Sequence, residues 1–225
     1  MPHFDIVRNN APENTFRVSK VCSDFDVKYE HSNEHFIGDL NLPESWNIGV
    51  IVGKSGTGKT TIAKELFGQN YVCSFDYKSK SVIDDMPKGC TVEDITRMFY
   101  ACGFGSVPSW LKPYSVLSNG EKMRVDLANA LLQNDFVVFD EFTSVVDRNV
   151  AQTCCIAVNK TIKRLNKQFV AVTCHYDVLE WLQPDWVFDT DTMQCFFGKS
   201  LVRKNNSLFE NANEANGKNL SVITI

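Results

Sequence analysis

The 225 residues hold 23 Lys and Arg against 27 Asp and Glu, a net charge of −4 that leaves no global basic footprint for nucleic acid. A 44% apolar content is that of an ordinary globular chain, long enough for one α/β domain with a substantial core. No apolar run nears the ~20 residues that cross a bilayer, no signal-peptide core opens the chain, and the eight cysteines show neither C-x-x-C spacing nor a histidine cluster. A soluble, cytoplasmic chain with reduced thiols is expected, without a structural zinc site or a disulfide framework.

Residues 1–20 read as polar and indefinite. From Phe16 to Leu42 apolar and polar residues alternate, which predicts antiparallel strands in a small β-subdomain over about 16–47. Residues 48–52, an apolar β-branched run, read as a buried strand, and 61–67 as a helix stopped by Gly68. Between them Gly53, Lys54, Ser55, Gly56, Thr57, Gly58, Lys59 and Thr60 match G-x-x-x-x-G-K-[ST] without a break. Strand, glycine loop and helix in that order are what phosphate binding needs. Glycines let backbone N–H groups wrap the phosphates, and the helix start, at Thr61, adds its positive dipole end. Lys59 would reach the β- and γ-phosphates, and the Thr60 hydroxyl would ligate Mg²⁺. This predicts a site for a nucleoside triphosphate.

Residues 92–101 read as a helix capped by Thr91 with Asp94 nearby, after which Gly103, Gly105, Pro108 and Pro113 break the chain into turns. Ser118 and Glu121 form a capping box before a helix over 122–132, whose start offers free N–H groups to an anion. Residues 135–141 are an apolar run ending in two acids. Asp140 would hold the Mg²⁺ shell, and Glu141 would orient or deprotonate an attacking water. A helix over 151–165, a strand at 169–173 and a closing hairpin at 186–197 complete a core spanning 48–189. Beyond Ser200 an Asn-rich tail over 201–225 reads as mobile, with 222–225 as a possible anchor.

Taken in order, these motifs resemble ABC-type ATPases over roughly residues 20–200. Leu117-Ser118-Asn119-Gly120-Glu121 is similar to their Leu-Ser-Gly-Gly-Gln signature, Phe142 to Asp147 to their D-loop, and Cys174-His175-Tyr176-Asp177 to the segment of their switch histidine. The resemblance implies a P-loop core with a mostly parallel sheet flanked by helices and preceded by an antiparallel β-subdomain. It implies ATP and Mg²⁺, bound between two subunits arranged head to tail. Ser118 and Gly120 of one subunit, with Asp147, would then face the triphosphate held at Lys59 of the other. Glu141 would polarise water while His175 contacts the γ-phosphate. The family also sets an aromatic against adenine; Tyr29 is the candidate here, with Phe25 behind it, and core packing is the equal alternative for both.

The departures are informative. No glutamine lies between Tyr71 and Leu132, where the family's Q-loop is expected, and the helical insert over about 78–117 is short for docking on membrane helices. Residues 106–111 and 169–189 look like a soluble group of these ATPases commonly joined to a GNAT-type acetyltransferase, but no acetyl-CoA pattern follows Lys199. Three readings stay open. One is a soluble ATPase that dimerises on ATP and acts on a protein or nucleic-acid partner, with an acetyltransferase as one candidate. The second is a transporter's nucleotide subunit. The third is a nucleotide-gated binding module with negligible hydrolysis.

Overall fold

The computed structural model describes residues 3–9, 12–27, 33–40, 42–72 and 74–197. Two antiparallel strands, β1 (His3–Asn9) and β2 (Asn33–Asp39), flank helix α1 (Phe16–Asp24) in the sequence. Then follow β3 (Ile48–Val52), α2 (Lys59–Phe67), α3 (Val92–Ala101), α4 (Val107–Trp110), α5 (Asn119–Gln133), β4 (Phe136–Phe139), α6 (Arg148–Leu165), β5 (Gln168–Thr173), α7 (Val178–Leu182), β6 (Trp186–Asp189) and β7 (Gln194–Phe197).

Among the described residues the main sheet has five strands in the order β4-β5-β3-β6-β7, parallel except for the final hairpin. Strands buried on both faces need continuous apolar sequence, and β3 supplies it with all five residues buried. Alternate side chains divide between two cores. Ile48, Val50, Val137, Phe139, Phe169 and Ala171 join the face packed by α3, α5 and α6. Ile51, Val138, Val170, Trp186 and Phe188 join the face covered by α2 and the N-terminal hairpin. Phe4 of β1 meets Phe188 edge to face at 5.7 Å, which fastens the hairpin to the sheet.

The N-terminal expectation requires correction. Residues 16–24 form a helix, not a strand, and the first strand lies at 3–9, in a stretch that reads as indefinite. The Thr15 hydroxyl caps the helix by accepting from the Val18 N–H, yet none of its residues is buried. A helix without a buried face leaves no apolar stripe in the sequence, so period-two alternation mimics it. The insert over 78–117 contains α3, α4 and short 3₁₀ turns. Tyr29 and the tail over 201–225 lie outside the described residues.

Candidate nucleotide site at the strand ends

Gly53 to Gly58 connect the end of β3 to α2. Gly58 stands at the cap position of α2 with φ +84°, and no side chain caps the helix. The first-turn N–H groups therefore lack a side-chain acceptor, which is the arrangement that receives an anion. A Cβ at Gly58 would fall 2.7 Å from the Phe36 ring on β2, so the loop takes this course only with glycine there. The loop is also tied from below. The Lys54 N–H donates to Asp191 at 2.9 Å, and the hydroxyls of Thr57 and Thr190 meet at 2.6 Å. Lys59 lies along the same loop, its ammonium donating to the Lys54 carbonyl at 2.6 Å. Ser55 and Gly56 are exposed, and Thr61 is half-buried in the first turn of α2.

The two predicted cation-holding residues meet. Thr60 Oγ1 donates to Asp140 Oδ2 at 2.7 Å. A hydroxyl has one proton and two lone pairs, so this bond turns the lone pairs of Thr60 away from the carboxylate. One hard oxygen beside an anionic one is a donor set that suits Mg²⁺, which takes few protein ligands and keeps most of its waters. The residues present therefore fit the cation that the sequence motifs imply.

Glu141, exposed and in a left-handed backbone conformation (φ +51°), follows immediately. Its N–H donates to Asp140 Oδ1 at 2.9 Å. Asp140 and Glu141 line a cavity of about 530 Å³ together with Tyr71, Asn119, Lys122 and Ser144. His175 is half-buried at the end of β5. Burial, then the Arg148 guanidinium, push its pKa below the ordinary value of 6.5, while Asp177 and Glu141 oppose them. The acid, the histidine and the loop thus converge on the carboxyl-end side of the sheet, where ligands bind in α/β folds.

The signature-like turn behaves differently. Ser118 and Asn119 are exposed, and Ser118 and Glu121 form the expected reciprocal cap on α5. The Ser109 hydroxyl, followed by the Ser118 backbone and hydroxyl, holds the Glu121 carboxyl below its usual range. Gly120 lies so close to the D-loop-like segment that a Cβ would meet Val146 at 2.8 Å. Asp147 is exposed and caps α6 by accepting from the Val150 N–H at 3.0 Å. Asn119 also lines the cavity beside Asp140 and Glu141. Phe25 is exposed at the end of α1.

Several residues that sequence reasoning passed over also shape the site. Phe36 packs on Gly58, Asp191 and Thr190 hold the loop, and the Tyr71 hydroxyl donates to Asp140 at 2.5 Å. The Tyr176 hydroxyl lies 3.1 Å from Asp189 and 3.3 Å from Asp191, sharing its proton between them, so it ties the segment carrying His175 to the clip under the phosphate loop. No motif marks these contacts, because each joins segments far apart in sequence.

Sheet order, loop and flanking helices together match the fold of ABC ATPase cassettes. No family model matches the chain, and no curated protein matches it. Solved structures do. A bacterial Atm1-family ABC exporter with ATP bound is 18% identical at a TM-score of 0.57, covering 75% of this chain and 37% of that one. The dimeric bacterial ABC transporter cassette MJ0796 is 15% identical at a TM-score of 0.55, covering 72% and 89%. cbiO1 from Clostridium perfringens, part of an ABC transporter complex, is 17% identical at 0.55, covering 75% and 83%. The chain therefore spans little more than a third of the exporter but most of the isolated cassettes. At these identities the likeness shows the fold. Among the described residues no helix is long and apolar enough to cross a membrane.

Proposed function

We propose that the chain binds ATP with Mg²⁺ and hydrolyses it in a composite site shared by two copies. The observation that carries the proposal is the Thr60–Asp140 bond at 2.7 Å beside an uncapped helix start and a glycine loop. In this reading the residues 53–61 and Lys59 hold the phosphates, and Thr60 and Asp140 hold the cation. Bound Mg²⁺ would supply charge neutralisation at the phosphate oxygens. Glu141 accepts a proton from water as the water oxygen attacks the terminal phosphorus, and ADP leaves. The depressed pKa keeps His175 neutral near pH 7, able to donate one hydrogen bond to the phosphoryl group without adding charge.

Two observations support the shared site. Ser118 is exposed, and Val116 and Val145 nearby are 63% and 49% exposed, an apolar border that a second copy would cover. The related cassette MJ0796 is dimeric in its solved structure. Ser118, Gly120 and Asp147 are the residues assigned to the partner's nucleotide, and Tyr29 is the candidate against adenine.

The deciding experiment is nucleotide binding and phosphate release by wild type, Lys59→Ala and Glu141→Gln. The proposal requires turnover in wild type, loss of binding in Lys59→Ala, and retained binding without turnover in Glu141→Gln. Equal slow release from wild type and Glu141→Gln would leave a nucleotide-gated binding module instead.

We further read the protein as acting outside transport, because among the described residues the insert between α2 and α5 offers only α3 and α4 as α-helices. The names of the compared structures favour a second reading, a transporter's nucleotide subunit. They do not support the acetyltransferase-linked grouping. Native co-purification separates the readings: a membrane protein, an acetyltransferase or a nucleic-acid complex would each come down with the chain.

A further inference from the structure

We infer that Tyr71 is a positioning residue for the cation: it fixes the orientation of the Asp140 carboxylate. The inference rests on the nucleotide reading above. Asp140 accepts three donors, and each comes from a different part of the chain. Thr60 at the start of α2 and Tyr71 both donate to Oδ2, at 2.7 and 2.5 Å. The N–H of Glu141 donates to Oδ1 at 2.9 Å. A carboxylate offers about four lone-pair positions, so these donors leave roughly one direction open.

Two of the three are compromised as orienting groups. The Glu141 N–H belongs to the adjacent residue and moves with the strand end. Thr60 is itself a proposed cation ligand, so its position changes with the cation's. Tyr71 is the donor with no other proposed duty at the site. Its backbone is fixed independently, since Tyr71 bridges to Val138 of β4 and the Val72 N–H donates to the Val138 carbonyl at 3.0 Å. Tyr71 is thereby registered on the strand that leads into Asp140.

α2 adds a further hold. Lys64 lies one turn beyond Thr60, on the same face of the helix, and its ammonium stands 5.0 Å from the Tyr71 ring centroid. A cation over the ring draws electron density from the phenol and strengthens the hydroxyl as a donor. Thr60, Lys64, Tyr71 and Asp140 therefore form one closed set, and removing the tyrosine hydroxyl frees the carboxylate to rotate. Groups that orient metal ligands are typically worth 10–100-fold in metal affinity.

The test measures metal affinity apart from turnover. Mn²⁺ is titrated into protein saturated with a non-hydrolysable ATP analogue, and free Mn²⁺ is followed by electron paramagnetic resonance. In parallel a fluorescent ATP analogue is bound in EDTA. Tyr71→Phe is expected to weaken the Mn²⁺ midpoint by about tenfold while metal-free nucleotide affinity stays within twofold of wild type. Lys64→Met, which leaves the hydroxyl in place, should move the midpoint in the same direction by a smaller factor. Midpoints within twofold of wild type in both variants would overturn the inference, as would equal losses of Mn²⁺ and metal-free nucleotide affinity. Failure of the wild type to bind nucleotide at all would overturn the underlying reading, and this inference with it.

Discussion

Arg148 grips Asp177 with two guanidinium nitrogens, Nε donating to Oδ2 at 2.8 Å and Nη2 to Oδ1. The pair joins the first residue of α6, directly after Asp147, to the cap of α7, two residues after His175. The guanidinium also lies 5.1 Å from the Trp181 ring centroid, so it is held in plane as well as by charge. Both side chains keep over a third of their surface exposed, at 37% and 39%, which limits the gain. A double-mutant cycle with Arg148→Ala and Asp177→Ala in urea should return a coupling of about 1 kcal/mol. Arg148→Lys should lose most of it, because an ammonium cannot make the planar fork. A coupling of zero would reduce the contact to coincidence.

Thr143 is fully buried, adopts φ +67° and leaves its hydroxyl without a hydrogen-bond partner. A β-branched residue in the left-handed region beside Glu141 is strained, and the orphan hydroxyl adds a desolvation cost. Thr143→Val keeps the shape and removes that cost. Stability should rise by about 1 kcal/mol, read as a higher denaturation midpoint at unchanged slope. A loss of stability would mean the hydroxyl has an acceptor after all.

Gly58→Ala should cost roughly 1–3 kcal/mol and abolish nucleotide binding, since the new methyl meets both a left-handed backbone and the Phe36 ring at 2.7 Å. Adding Phe36→Ala removes the clash but not the backbone strain. Partial recovery of binding in the double variant, measured with a fluorescent nucleotide, would assign the loss to the ring. No recovery would assign it to the backbone alone.

His175 makes stability depend on pH. Burial, then Arg148, lower its folded-state pKa below the 6.5 of an unfolded histidine. In the window between the two values the unfolded chain binds a proton that the folded chain refuses, so stability rises with pH there. The contribution is complete above about 6.5 and disappears as pH falls through the folded value. Denaturation midpoints between pH 5 and 8 should therefore show a slope that His175→Gln flattens. An unchanged slope would move the dependence to another group.

Much of the fold was legible because its signals are local. Strand β3 is an unbroken apolar run, the glycine loop follows it at once, and both capping boxes, Thr91 with Asp94 and Ser118 with Glu121, act over three residues. The pairing of Thr60 with Asp140 followed from motif roles rather than spacing. What stayed hidden depends on contacts across long sequence separations: Tyr71 on Asp140, Arg148 on Asp177 and Asp191 under Lys54. The N-terminal misreading has a different origin. Residues 3–9 set Phe4 and Ile6 inward beside His3 and Asp5, but an exposed Val7 followed by Arg8 breaks the alternation and masked the strand, whereas α1 buries nothing that would betray a helical period.

The bond from the Lys59 ammonium to the Lys54 carbonyl has a thermodynamic corollary. Any incoming anion must exchange that internal contact for its own, so a lone weakly charged oxygen gains almost nothing by arriving. Only a ligand presenting several adjacent negative oxygens recovers the loss through the surrounding amides. On the proposed nucleotide reading the loop would thereby favour polyphosphates over the monoester, through competition from within rather than through the size of the opening.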